Sequence, residues 1–117
     1  MDVSDRLLSL TSQMLWLSSS LPEDRAGNQL AESILKHATA SYFRHGEAGG
    51  SPSAKEFAQK FREALSELRM LRTVLLLLEK AGIPCSGQAV RDGLEEVDIL
   101  IRIFFSSIRT LEGRASQ

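Results

Sequence analysis

The chain of 117 residues has a single cysteine, Cys85, with three prolines, eight glycines, one tryptophan and one tyrosine, and its formal net charge is only −1. One cysteine excludes an intrachain disulfide framework and a cysteine-built zinc site, and it suits a reducing compartment. The near-zero net charge provides no overall field to hold the chain on nucleic acid or on a membrane surface, so any such contact must come from a local patch. No apolar run reaches the about 18 residues that can span a bilayer. The N-terminus also lacks the basic start and apolar run of a secretory signal, so a cytoplasmic protein with no membrane attachment is expected. Most of the glycines and prolines gather in two clusters, Gly46 to Pro52 and Gly82 to Gly87, which leaves long uninterrupted stretches for helix.

Hydrophobic residues at 43% and charged residues at 25% separate the chain from disordered compositions. A chain of this length buries roughly two-thirds of its unfolded surface in one core, so a single domain is expected. Apolar spacing then sets the class. Val3, Leu7, Leu10, Met14, Leu17 and Leu21 alternate steps of four and three, which is one stripe of a helix over about 3–20, broken by the serines and proline at 18–22. A thinner stripe of Leu30, Ile34, Ala38 and Tyr42, flanked by Ala31, Leu35 and Phe43, predicts a second helix over about 23–45. The Gly46 to Ser53 stretch is read as the longest loop. Ser53 and Glu56 form a capping-box pattern at the start of a third helix, 54–81. Its seam is Phe57, Phe61, Ala64, Leu68, Leu71, Leu75 and Leu78, and Gly82-Ile83-Pro84 stops it. Ser86 caps a fourth helix over about 87–112, whose seam is Val90, Leu94, Val97, Ile101, Phe104, Ile108 and Leu111. Four amphipathic helices with short connections predict an all-α fold, an antiparallel up-down-up-down four-helix bundle.

Some apolar residues fall outside these seams. At 100° per residue Met70, Val74 and Leu77 flank the third seam and Leu76 points well away from it, while Ile99 and Ile103 leave the fourth. An exposed patch of this kind is one a monomer rarely keeps, so self-association is expected, or contact with another protein.

The third helix reads Phe57-Ala-Gln-Lys60-Phe61-Arg-Glu-Ala64-Leu65-Ser-Glu67-Leu68. It resembles the Phe-x-x-Lys-Leu-x-x-Ala-Leu-x-Glu pattern of the four-helix-bundle proteins first noticed in intervening sequences of bacterial 23S ribosomal RNA genes. Gln29-Leu30 with Ser33 is similar to that family's Gln-Leu-x-x-Ser opening of helix two. Glu96 to Thr110 is similar to its closing Glu-x-x-x-Leu-x-x-Ile stretch, so the likeness covers nearly the whole chain. The sequence departs from the family at Ala40, Phe43, Met70 and Val74, where Asn, Glu, Glu and Trp are common. The resemblance implies a cytoplasmic bacterial bundle assembled as a ring, typically a homopentamer, with no enzymatic activity established for the family. By analogy with a related bundle, the accessory protein of diversity-generating retroelements, it also raises an adaptor role beside a nucleic-acid enzyme; that analogy is one of fold alone.

Site chemistry is sparse. The Glu-x-x-His pair of bundle metal centres is missing, His37 and His45 stand too far apart along one helix to share a metal, and Cys85 has no visible activating base. No Gly-rich phosphate loop between strand and helix is present either, so no enzyme, metal or cofactor is expected. Glu56, Lys60, Glu63 and Glu67 line one flank of the third helix. If solvated they form an ion-pair ladder in which Glu56 and Lys60 contribute about 0.3–0.5 kcal/mol. The alternative assigns Lys60 and Glu67 to a contact across a helix or subunit seam, together with Met70, Val74, Leu76, Leu77, Ile99 and Ile103. For RNA or DNA, a basic belt is expected from Arg62, Arg69 and Arg72 on the third helix and Arg91, Arg102 and Arg109 on the fourth. Glu95 and Asp98 interrupt that belt, and with Phe57, Phe61 and Phe104 in the seams few platforms remain for stacking bases. A non-enzymatic oligomeric structural or adaptor module is therefore the main functional expectation, and a nucleic-acid-binding ring the alternative.

Overall fold

Each helix begins where a short polar side chain can accept from an amide that the helix itself leaves unpaired. The computed structural model describes residues 2–115, with side chains through Gly113, and contains α1 (Val3–Ser20), α2 (Arg25–Ala48), α3 (Ala54–Ala81) and α4 (Gly87–Ala115). Asp2 accepts from the Asp5 amide at 2.8 Å, Asp24 from Gly27 at 2.7 Å, Ser53 from Glu56 at 3.2 Å and Ser86 from Ala89 at 3.1 Å. At the other end of α3, Gly82 takes φ +67°, the left-handed cap a side chain would strain.

The helices form a bundle 51 × 22 × 21 Å in which each packs against its sequence neighbours and α4 returns to α1; among the described residues the backbones of the diagonal pairs α1–α3 and α2–α4 stay apart, and side chains such as His45 and Phe104 meet across the core. Alternating directions follow from the short turns. The core holds Leu7, Leu10, Met14 and Leu17 of α1, Ile34 and Ala38 of α2, Leu68, Leu71, Leu75 and Leu78 of α3, and Val90, Val97 and Phe104 of α4. Two residues beside the expected seams, Leu65 and Leu100, are buried as well. In α4, Leu94, Ile101 and Leu111 lie at the seam's edge, half-buried.

Three boundaries differ from the sequence reading: α2 begins at Arg25 rather than about 23, α4 runs on to Ala115 rather than about 112, and the end of α2 moves as well. The second helix does not stop at His45 but continues through Gly46 and Glu47 to Ala48, and the loop shrinks to 49–53. Ala48 is buried, and Glu47 is held from both sides by Arg44 at 2.6 Å and Lys60 at 2.9 Å, so tertiary contacts outweigh the low helix propensity of Gly46.

Polar side chains connect neighbouring helices along the bundle. Arg6 of α1 grips Glu96 of α4 with two bonds of 2.8 and 3.0 Å, His37 of α2 meets Glu67 of α3 at 2.7 Å, and Arg72 of α3 donates to Asp98 of α4 at 2.6 Å. At one end Phe57, Phe61 and Phe104 stack with centroids 4.8 and 5.0 Å apart. His45 fits against Phe61 and Phe104 at 5.4 and 5.6 Å. No helix among the described residues is long and apolar enough to cross a membrane.

Candidate interaction surfaces

Among the described residues no three His, Cys, Asp or Glu side chains gather as a metal site. His37 and His45 are half-buried, one on a carboxylate and the other among phenylalanines. Cys85 sits half-buried in the turn before α4, packed against the edge of the core.

Both charged residues assigned to a contact across a helix or subunit seam reach across to α2 within the chain, and do not pair with each other. Lys60 reaches Glu47 at 2.9 Å and Glu63 at 3.5 Å, and Arg44 completes the group by holding Glu47 and approaching Glu63 at 4.0 Å. Two cations and two anions thus clamp the end of α2 onto α3. Lys60 and Arg44 hold the Glu47 carboxyl below its usual range, with the Lys60 hydrogen bond the larger cause. The partner of Glu67 is His37. Both residues therefore fix the register of α2 on α3.

The expected apolar patch is divided. Val74 is only 8% exposed and belongs to the core, because the seam of α3 drifts around the helix over its 28 residues and brings position 74 under the neighbouring helices. Ile99 and Ile103 are half-buried on the flank of α4. Met70, Leu76 and Leu77 are exposed as the wheel predicts, Leu77 by 54%. Met70 and Leu77 lie on one line with Ser66 and Thr73, at steps of four, three and four, so the outer face of α3 carries an uncharged stripe. The Thr73 hydroxyl is already bonded to the Arg69 carbonyl at 3.0 Å.

A second exposed apolar surface lies on α1, outside the residues singled out from the sequence. Trp16 is 77% exposed on α1, and Leu8 and Leu15 are exposed beside it. No charged residue occurs between Leu7 and Pro22. Leu8, Ser12, Leu15 and Ser19 repeat the four, three, four spacing found on α3. On this face Ser19 turns its hydroxyl back onto the Leu15 carbonyl at 3.0 Å, and Ser12 is exposed. The charge-free run was the sequence signal for it. Phe43 on α2, 62% exposed, stands apart from both stripes.

The basic residues are also of two kinds. Arg62 is bonded to Glu112 at 2.8 Å and to Gln59, and Arg72 to Asp98. Arg69, Arg102 and Arg109 have no acidic partner among the described residues and are exposed. Arg62, Arg69 and Arg109 line a cleft of about 550 Å³ between α3 and α4, with Leu65, Ser66, Phe105, Ile108 and Glu112. Phe105 is 49% exposed there. Phe57, Phe61 and Phe104 lie in the seams as expected, and Phe105 is one aromatic outside them that is open to solvent.

The same architecture occurs in a solved protein. A crystal structure of a protein of unknown function from the S23 ribosomal protein family of Bacteroides thetaiotaomicron superposes with a TM-score of 0.82, covering 92% of this chain and 98% of that one at 20% identity. The two chains share a fold. No family model matches the sequence, and no curated protein matches it.

Proposed function

We propose that this chain is a non-enzymatic bundle of the S23 type that works in the cytoplasm as a self-assembling scaffold or adaptor, the α1 stripe of one copy seated on the α3 stripe of the next. The exposed, charge-free face of α1 around Trp16 carries this reading. A tryptophan left 77% in water beside exposed leucines gains much when covered, as the aromatic anchors of protein interfaces do. A fold matched over nearly the full length of an S23-family protein supports the family reading, together with the Lys60, Ala64 and Glu67 pattern. The test is solution mass by light scattering across a concentration series. Wild type is expected as an oligomer, and Trp16→Glu and Leu77→Glu each as smaller species with unchanged helical circular dichroism. A wild-type monomer at every concentration overturns the proposal.

A further inference from the structure

A second surface is independent of assembly, because one chain supplies all of it. The antiparallel pairing of α3 with α4 is fixed by Arg72–Asp98 and Arg62–Glu112, and between those two ties the cleft is open. Arg102, Phe105 and Arg109 follow at steps of three and four on α4, so they share one face of that helix. Arg69 projects from α3 across from them, about 10 Å along the axis from Arg62 at 1.5 Å per residue. Glu112, which lines the cleft, is bonded to Arg62, and Asp98 to Arg72, while Arg69, Arg102 and Arg109 have no acidic partner among the described residues, and Phe105 is exposed between Arg69 and Arg109.

We infer that the α3–α4 cleft binds single-stranded nucleic acid, one base stacking on Phe105 and the flanking phosphates bonding Arg69 and Arg109. Arginine guanidinium groups match phosphate oxygens in paired hydrogen bonds, and an aromatic face accepts any base. A duplex hides its base faces, so the site selects unpaired strands. The cleft has no floor of buried polar groups that could read a base edge, and recognition is therefore independent of sequence.

The measurement is fluorescence anisotropy of a labelled unstructured oligonucleotide with the full chain, at several salt concentrations. Wild type is expected to bind with an affinity that falls steeply as salt rises. Arg69→Ala and Arg109→Ala should each weaken binding and reduce the salt slope by about one. Phe105→Ala should weaken binding about tenfold at every salt concentration and leave the slope unchanged, because stacking releases no counterions. Phe105→Tyr, which keeps the ring, should restore it. Three results overturn the inference: no binding at low salt, equal binding by the Arg69→Ala/Arg109→Ala double variant, or displacement by a base-free polyanion together with indifference to Phe105→Ala. Repeating the titration with Trp16→Glu separates this site from assembly, since the cleft is complete in a monomer.

Discussion

Gly27 and Gly46 both lie in α2, yet only one of them is required by its surroundings. A Cβ at Gly27 would stand 1.9 Å from the Pro22 carbonyl oxygen, an atom fixed by the backbone of the turn that brings α1 into α2. At Gly46 nothing lies within 4 Å of the corresponding position, and the residue has ordinary helical geometry. Gly27→Ala must therefore open the turn and should lower unfolding free energy by about 3 kcal/mol, the upper end for forced overpacking. Gly46→Ala should raise it by about 0.5–1 kcal/mol, since it removes backbone entropy from the unfolded chain and fits the helix. Urea denaturation of the two variants checks the pair, and equal effects would show that the approach of Pro22 does not constrain the turn. The opposed signs come from a single carbonyl group that sequence spacing does not locate.

Helices α2, α3 and α4 meet at one end through His45, Phe61 and Phe104, and this aromatic group makes their packing sensitive to pH. Burial among the rings lowers the His45 pKa from its ordinary 6.5, and the charge of Asp2 opposes that only in part. The folded state therefore takes up a proton less readily than the unfolded chain. Above about pH 6.5 both states hold a neutral imidazole and His45 contributes no pH dependence. As pH falls below that value the unfolded state binds the proton first, and stability decreases until the folded-state pKa is passed. His45→Phe should remove this loss, so the gap between wild-type and variant thermal midpoints should widen on going from pH 7 to pH 5; a constant gap would assign the acid sensitivity elsewhere. At this scale much was legible in advance. Apolar spacing located all four helices, and the Ser53 and Ser86 caps fell where a hydroxyl precedes a periodic run. The extension of α2 to Ala48 was not legible, because Glu47 is held by Lys60, thirteen positions on, and Gly46 reads locally as a breaker. The same holds for the arginines. Whether Arg62 is available or tied to Glu112 depends on a helix register that spans 50 positions.

In an up-down-up-down bundle the diagonal helices α1 and α3 run in the same direction, and since they stand across the core from each other they present their outer faces to opposite sides. Each carries an uncharged stripe at the same spacing. The steps are Leu8, Ser12, Leu15, Ser19 on one and Ser66, Met70, Thr73, Leu77 on the other, so large and small residues alternate in opposite phase. Thr11 of α1 reaches towards the Ala38 carbonyl of α2 at 3.5 Å while His37 of α2 bonds Glu67 of α3, which places the two stripes at similar heights along the bundle. Set side by side and parallel, Leu8 meets Ser66, Ser12 meets Met70, Leu15 meets Thr73 and Ser19 meets Leu77, a large side chain opposite a small one at every level. A contact between two different faces is heterologous, and it closes into a ring where each contact adds a rotation that divides the full turn, and otherwise runs on as an open row. Complementation tests this arrangement. Trp16→Glu spoils the α1 face and keeps α3, Leu77→Glu does the reverse, and each alone should remain a monomer. Mixed in equal amounts they should form a one-to-one heterodimer that grows no further, because the only intact pair of faces joins one variant to the other and the remaining two faces are both spoiled. If the contact were instead a twofold one between α1 faces, Leu77→Glu would dimerise alone and mixing would add nothing. Mass measurement of the two variants and of their mixture therefore decides between the two symmetries, and growth of the mixture beyond a dimer would place the contact on other faces.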